Sequence, residues 1–180
     1  MRDIPSVNVV EGNKRTSLRL DVQHELKRRG THCQCIRCRE VRKQSVEAEA
    51  LHLEDLVYNT GGAEEHFLSF VTPDDALAGF LRLSLPGKDS PATGLDDLNG
   101  AAIIREVHVF GQSLAVGAEQ NGVAQHTGLG TELIQRAETI AQQKGFRHMA
   151  VISAVGTRLY YLERGFTRGE LYLLKKVDNL

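Results

Sequence analysis

Apolar residues near the N-terminus recur at helical spacing. Over residues 16–29 they lie four positions apart, with charged residues between them: Leu18, Val22 and Leu26. This spacing predicts an amphipathic helix that ends at Gly30. A second helix is predicted over about 45–58, ended by the Gly61-Gly62 pair.

After residue 65 the pattern changes to strands separated by helices. Strands are predicted over 66–71, 77–83, 102–110, 148–153 and 170–177, the first two joined as a hairpin. Helices are predicted over about 128–143 and 156–164. The longer one carries its apolar residues on one face: Leu129, Leu133, Ile134, Ala137, Ile140 and Ala141. This order predicts an α/β domain, a mixed sheet flanked by helices, with strands 102–110 and 148–153 parallel through a right-handed crossover.

Composition indicates a soluble globular protein. Of its 180 residues, 41% are apolar and 25% charged, and no apolar run approaches the roughly 20 residues that cross a bilayer. The opening residues lack the apolar segment of a secretory signal. We therefore expect a cytoplasmic protein without a membrane segment, long enough for one ordinary domain and an extra subdomain.

Positive charge is concentrated at one end of the chain. Residues 1–44 hold 11 of the 22 Lys+Arg but only 5 of the 23 Asp+Glu, so residues 45–180 are acidic on balance. A basic arm on an acidic globule favours a polyanionic partner. From charge alone, a solvated charged surface is an equal alternative.

All three cysteines fall within six residues: Cys33, Cys35 and Cys38. A clustered, odd set in a chain without a secretion signal argues against disulfides. Three thiolates in one tight loop favour a structural zinc site, and a reduced structural cluster is the alternative. The sequence does not identify a fourth ligand, for which His24 and His32 are the nearby candidates.

The segment Gln125-His126-Thr127-Gly128-Leu129-Gly130 opens directly onto the predicted helix. Glycine allows close approach of a ligand, and the first N–H groups of a helix form a phosphate cradle. A P-loop would need Gly-Lys-Ser/Thr, but Gly130 is followed by Thr131-Glu132. A dinucleotide-binding fingerprint would need a third glycine, but Leu133 occupies that position. The coenzyme A pattern of acetyltransferases remains, with an ordinary glycine-rich helix start as the alternative.

A second motif lies downstream, where Tyr160 and Tyr161 precede the Gly165-Phe166 pair. Together the two motifs resemble those of the GNAT acetyltransferases. The resemblance implies that a tyrosine protonates the departing thiolate; spacing favours Tyr161 as this acid and Tyr160 as a wall of the acetyl pocket. It also implies that the strand 105–109 binds pantetheine through backbone groups, which we assign to Val107 and Val109, one N–H polarising the acetyl carbonyl.

Other polar residues near these motifs have open roles. Glu106 and His108 share one face of the strand, where a general base for amine acetylation could lie, or where they are ordinary polar residues. His126 either touches the thioester or a substrate, or caps its loop. The full set predicted to contact acetyl-CoA is Val107, Val109, Gln125, His126, Thr127, Gly128, Leu129, Gly130, Thr131, Tyr160 and Tyr161.

The resemblance extends to one family within this superfamily. Five collinear segments carry it: Arg2-Asp3-Ile4-Pro5, the cysteine segment 33–41, Arg105–Gly111, Gln125–Thr131 and Tyr160-Tyr161. They resemble the C-terminal half of the Elongator catalytic subunit, which joins a radical S-adenosylmethionine domain to a GNAT-like domain. The resemblance implies that acetyl-CoA supplies a group that ends on carbon 5 of the tRNA wobble uridine, and that tRNA stimulates acetyl-CoA hydrolysis.

The family's CxxxCxxC motif is absent from the chain, so we expect a fragment whose full-length form needs S-adenosylmethionine and a 4Fe–4S cluster. Residues 1–44 would be the end of the radical domain with the zinc linker, and residues 45–180 the GNAT-like domain. With the family in view, phosphate contacts to tRNA are assigned to Lys27, Arg28, Arg29, Arg37, Arg39, Arg42 and Lys43. The alternatives are a protein lysine acetyltransferase and a non-catalytic tRNA-binding module.

Overall fold

The computed structural model describes residues 7, 10–12, 14, 18–42, 46, 48–110 and 128–177. The chain divides into two compact units, Met1–Arg39 and Glu40–Leu180. The predicted domain boundary between residues 44 and 45 stays a prediction. None of the helices in these ranges is long and apolar enough to cross a membrane.

The described part of the first unit contains two α-helices, α1 (Leu18–Arg28) and α2 (Ile36–Arg39). The helix predicted over residues 16–29 is confirmed, and it closes with the Thr31 N–H donating to the Leu26 carbonyl at 3.0 Å. No residue of α1 is buried. The short α2 contains Cys38 and follows Cys33 and Cys35, and residues 33–38 together are called the cysteine turn.

The second unit is built on one seven-stranded sheet. Its strands are β1 (His52–Thr60), β2 (Ala63–Val71), β3 (Leu77–Pro86), β4 (Ala101–Val109), β5 (His148–Val151), β6 (Thr167–Arg168) and β7 (Leu173–Lys176). Their spatial order is β1-β2-β3-β4-β5-β7-β6. β4 and β5 are parallel, and the other neighbours are antiparallel. The predicted mixed α/β sheet is confirmed, including the parallel pair at its centre.

The helix predicted over residues 45–58 is wrong, because β1 occupies the second half of this range. β1 pairs with β2 from His52↔Val71 to Thr60↔Ala63, and Gly61-Gly62 is the hairpin turn between them. β1 is the edge strand and is exposed at all nine positions. Since neither face is buried, its apolar residues show no two-residue period, and their irregular spacing favoured a helix.

Among the residues described in the second unit there are two α-helices, α3 (Leu129–Gln143) and α4 (Arg158–Leu162). α3 packs on β2, β3 and β4. Its buried residues are Leu129, Gly130, Leu133, Ile134, Ala137, Ile140 and Ala141, which include all six predicted. With Leu68, Leu81, Leu83 and Ile104 from the sheet they form the core. This packing fixes where the first turn of α3 lies on the sheet.

β4 changes its pairing at its midpoint. Its first half pairs with β5 as far as Ile104. There the register with β3 shifts between Arg82 and Leu83, which leaves Arg105 as an extra residue in β4. Such a bulge bends a strand and sharpens its twist. Beyond the bulge, β4 continues to pair with β3 on one edge, whereas β5 no longer pairs with its opposite edge.

Candidate active site

The edge of β4 that β5 leaves uncovered presents backbone groups at the predicted pantetheine positions. The N–H of Phe110 donates to the carbonyl of Ala78 on the β3 side at 2.8 Å. In antiparallel pairing this orientation alternates along the strand. The N–H and C=O groups of Val107 and Val109 therefore face away from β3.

α3 begins after a glycine in the left-handed conformation. Gly128 has a φ of 76°, which a residue with a Cβ adopts only at a cost. Its carbonyl accepts hydrogen bonds from the N–H groups of Thr131, at 2.8 Å, and Glu132, at 3.0 Å. Helix geometry leaves the N–H groups of Gly128, Leu129 and Gly130 without an intrahelical acceptor at the positive end of the dipole. The predicted phosphate cradle therefore has these three N–H donors. The N–H of Thr131, which was also predicted to contact the coenzyme, instead donates within the helix. Three predicted coenzyme residues lie outside the described residues: Gln125, His126 and Thr127.

Tyr160 approaches the first turn of α3 closely. A Cβ built on Gly130 would lie 2.5 Å from the Tyr160 hydroxyl oxygen and 3.5 Å from Cγ2 of Val109. Only glycine accommodates the tyrosine in this place without a shift. The structure therefore brings the Tyr160 hydroxyl beside the N–H cradle.

Arg164 ties this tyrosine to α3. Its guanidinium carbon lies 3.5 Å from the centroid of the Tyr160 ring. Its Nε and Nη2 donate to Oγ1 of Thr131 at 3.0 and 2.8 Å, and its Nη1 donates to the Tyr160 carbonyl at 2.6 Å. Arg164 was not among the residues predicted from the sequence. Its i, i+4 spacing from Tyr160 was a readable signal, whereas its contact with Thr131 depends on the tertiary fold.

Tyr161 has a different environment from its neighbour. It is buried at 7% exposure, and its ring packs edge-on against Phe166 with centroids 5.5 Å apart. Burial, with the adjacent Tyr160 as a smaller cause, raises the pKa of Tyr161 to about 12. The hydroxyl therefore holds its proton strongly at neutral pH.

Glu106 and His108 lie on the face of β4 opposite to Val109, because side chains alternate along a strand. A carboxylate oxygen of Glu106 lies 2.9 Å from Nη2 of Arg82, and both side chains are 39% exposed. The His108 ring is exposed, with its centroid 4.5 Å from that of Phe110. Both residues thus have local partners, and a general-base role for either stays a prediction.

The three cysteines converge in the first unit. The Sγ atoms of Cys33, Cys35 and Cys38 lie within 4.8 Å of one another. The Cys38 N–H donates to the Cys35 carbonyl at 2.9 Å, which turns the chain so that these thiols approach. Hydrogen bonding from Cys33, and then from the Cys38 backbone, lowers the pKa of Cys35 to about 7. A thiolate is the form that binds a metal ion.

Polar side chains of α1 surround these sulfurs. Nη2 of Arg19 lies 3.2 Å, and Nε2 of Gln23 3.5 Å, from Sγ of Cys38. Within the described residues, the group of potential metal ligands contains neither His24 nor His32. His32 instead has its Nε2 2.7 Å from Nε2 of Gln34. The donor set of the cluster is therefore three sulfurs.

The residues predicted to contact phosphate lie mostly on the surface. Lys27, Arg28, Arg29, Arg37 and Arg42 are exposed, Arg39 is half-buried, and Lys43 lies outside the described residues. Two of these charges already have a partner, because Arg28 and Arg29 both lie 2.7 Å from Oε1 of Glu25. A role of these basic residues in binding nucleic acid stays a prediction.

Comparison with known proteins finds similarity along almost the whole chain. The tRNA uridine(34) acetyltransferase of Dehalococcoides mccartyi (strain CBDB1) is 38% identical over 183 residues, covering 99% of this chain and 39% of that protein. Elongator complex protein 3 of Drosophila melanogaster is 38% identical over 184 residues, covering 98% and 33%. The solved structure of the archaeal Methanocaldococcus infernus Elp3 with an N-terminal deletion superposes with a TM-score of 0.77 and 34% identity, over 97% of this chain and 42% of that chain. No protein-family model matches the chain.

These findings confirm the resemblance to the acetyltransferase half of the Elongator catalytic subunit, and the GNAT-like fold class with it. The chain spans 33–39% of the length of these two curated relatives.

Proposed function

We propose that residues 40–180 form an acetyl-CoA-binding acyltransferase domain that serves the carboxymethylation of tRNA wobble uridine at carbon 5. The observation that carries the proposal is the convergence of three features at one place. They are the N–H groups of the first turn of α3, the edge of β4 that faces away from β3 beyond the β5 pairing, and the Tyr160 hydroxyl against Gly130. The acceptor is taken from the names of the relatives, tRNA uridine(34) acetyltransferases.

Each part of this site has a distinct task toward acetyl-CoA. The N–H groups of Gly128, Leu129 and Gly130 bind the pyrophosphate, since they are donors at the positive end of a helix. The backbone groups of Val107 and Val109 bind the pantetheine amides as a neighbouring strand would, and one of the N–H groups polarises the acetyl carbonyl.

Tyr160 is the better candidate for the group that protonates the departing thiolate. Its hydroxyl lies beside the cradle, whereas Tyr161 packs into the core. With a pKa of about 12, Tyr161 would transfer its proton uphill to a thiolate. The ordinary pKa of a thiol, about 8.5, lies well below that of Tyr161. Tyr161 then supports the Tyr160 ring, with the two ring centroids 5.3 Å apart.

The cysteine cluster fits a structural zinc ion. With Zn–S bonds of about 2.3 Å, a tetrahedral site places its sulfurs roughly 3.8 Å apart. The observed upper limit of 4.8 Å for Cys33, Cys35 and Cys38 is within reach of small side-chain rotations. A zinc ion would hold the cysteine turn against α1.

The proposed nucleic-acid contacts lie in the first unit, and the radical chemistry is expected in the longer protein. The basic residues of the first unit, among them Lys27 and Arg37, bind tRNA phosphates, and the part of the relatives that this chain does not span supplies the radical S-adenosylmethionine domain with its 4Fe–4S cluster. Binding of tRNA to this chain should weaken steeply with salt, because phosphate contacts release counterions.

The decisive experiment is calorimetry with acetyl-CoA and with desulfo-coenzyme A, each with and without tRNA. Binding of both coenzymes, together with acetyl-CoA hydrolysis that tRNA stimulates, is the expected result. Transfer to a lysine peptide without any effect of tRNA would favour a protein acetyltransferase instead. Absence of coenzyme binding would overturn the proposed site. A Tyr160→Phe variant should then slow turnover more than Tyr161→Phe does.

A further inference from the structure

A cavity of about 320 Å³ opens beside the β4 bulge. Its walls are mostly apolar, and Leu98, Ile103 and Ile152 are among them. Arg105, the extra residue of the bulge, lines the same cavity together with the hydroxyl-bearing Ser84. The volume lies at the lower end of the range for small-molecule sites, and an apolar enclosure with few polar groups is typical of them.

A buried carboxylate orients the arginine. Oε1 of Glu65, whose side chain is only 4% exposed, lies 3.4 Å from Nη1 of Arg105 and accepts a hydrogen bond from Oγ of Ser84 at 2.7 Å. A buried carboxylate requires such partners, so this contact holds one edge of the guanidinium. The Arg105 side chain is 51% exposed. Of its five N–H donors the Glu65 contact uses one, which leaves donors for a ligand in the cavity.

The cavity adjoins the place proposed for the thioester. Ile104, the last residue of β4 that pairs with β5, lines it next to Arg105. Val107, proposed to bind the coenzyme, lies two residues further along β4, which is roughly 7 Å. A molecule in the cavity would thus lie next to the acetyl group.

The charge of this cavity selects among acceptors. A lysine ammonium would meet the like charge of Arg105 among apolar walls, which disfavours it. A flat heterocycle with carbonyl oxygens matches both features, since arginine donates to base carbonyls and apolar side chains cover base faces. We propose that this cavity binds the uracil base of the acceptor nucleotide, with Arg105 donating to a base carbonyl and Glu65 holding the guanidinium in position. This inference rests on the proposed function for the identity of the acceptor.

The test is the affinity of the 180-residue chain, with desulfo-coenzyme A present, for two anticodon stem–loops. One carries uridine at the wobble position, and the other carries an abasic site there. Phosphate contacts are common to both, so the ratio of the two dissociation constants isolates the contribution of the base. For the wild-type chain we expect a ratio of about ten, which corresponds to roughly 1.4 kcal/mol.

Arg105→Ala should bring this ratio close to one while leaving the affinity for desulfo-coenzyme A unchanged. Arg136→Ala, at an exposed arginine of α3, is the control that removes one positive charge elsewhere. Arg105→Ala leaves the buried Glu65 carboxylate without its cation. The double variant Arg105→Ala/Glu65→Gln therefore tests the loss of base recognition in a chain without an unpaired carboxylate. Glu65→Gln alone should give an intermediate ratio, and Arg105→Lys should restore part of it.

A wild-type ratio near one, or a ratio that Arg105→Ala does not change, would overturn the proposal. So would a loss of coenzyme binding in the folded double variant, since the cavity would then belong to the coenzyme. Failure of the wild-type chain to bind acetyl-CoA would instead overturn the proposed function, and it can be measured separately from the base ratio.

Discussion

The phosphate cradle makes a sharp prediction at Gly128. A glutamate side chain at this position would have room, because nothing lies within 4 Å of a Cβ built there. Its carboxylate would reach the space in front of the first turn of α3. Two unit charges about 4 Å apart at an effective dielectric constant near 20 repel by roughly 4 kcal/mol. Gly128→Glu should therefore weaken acetyl-CoA binding by roughly a thousandfold.

Two further variants separate charge from backbone strain. Gly128→Gln has nearly the same shape without the charge, so its loss of affinity should be much smaller. Gly145→Glu places the same side chain at the other end of α3, where φ is 83° and the space is equally open. All three substitutions force a Cβ into the left-handed region and should lower the free energy of unfolding by about 1–2 kcal/mol.

Calorimetry with desulfo-coenzyme A measures the affinities, and urea unfolding measures the stabilities. If Gly128→Glu bound the coenzyme within about threefold of the wild-type chain, a difference below roughly 0.7 kcal/mol, no phosphate would lie at this helix terminus. Equal losses in Gly128→Glu and Gly145→Glu would refute the argument as well, because they would trace the effect to stability.

Three other predictions test separate parts of the molecule. Gly130→Ala places a methyl group 2.5 Å from the Tyr160 hydroxyl oxygen, so the ring must move. The single-turnover rate of acetyl-CoA hydrolysis should then fall by a larger factor than the coenzyme affinity. An unchanged rate would contradict the role of Tyr160. Cys35→Ser should release zinc, measured by atomic absorption, and raise hydrogen exchange only around the cysteine turn; global unfolding would show that the turn is not an independent part. Asp97 accepts backbone hydrogen bonds from residues 170–172, which lower the pKa of its carboxyl group. The stabilisation of the fold by this carboxylate is therefore fully present above its ordinary pKa near 3.8, and it is lost as the pH falls through the lowered pKa. In urea unfolding, Asp97→Asn should therefore be less stable than the wild-type chain at pH 7, with the gap closing in acid; a gap independent of pH would contradict this.

Local patterns were sufficient to predict much of the fold. α3 has a regular apolar face, and the central strands have buried runs, so both were predicted. β1 was not, because exposure of both its faces removes the alternation on which a strand prediction depends. β6 was missed because its two residues leave no pattern to read.

In the candidate site, too, features set by local sequence were predictable and features set by tertiary packing were not. The cysteines lie close together in the chain, so their convergence was predictable. Arg164 reaches Thr131 across 33 positions of sequence, and only the packing of α4 against α3 brings them together. The preference for Tyr161 came from spacing, which does not show which of two adjacent rings is buried. The bulge at Arg105 interrupts a continuous strand pattern without any glycine or proline to mark it.

The bulge also sets how this strand tolerates changes of length. Substitution at Arg105 alters one side chain, whereas deletion of the residue would remove the bulge and straighten the strand. Ile104 and Glu106 pair with consecutive residues of β3, so the strand without Arg105 would alternate regularly and keep its register. Val107 and Val109 would then still face α3, and the cavity would lose its arginine while the coenzyme edge stayed in place. Loss of a second residue before Val107 would instead turn Val107 and Val109 to the opposite face and remove the coenzyme edge and the core together. A segment exchange between related chains should therefore tolerate one residue fewer between Ile104 and Phe110 but not two, whatever their identities.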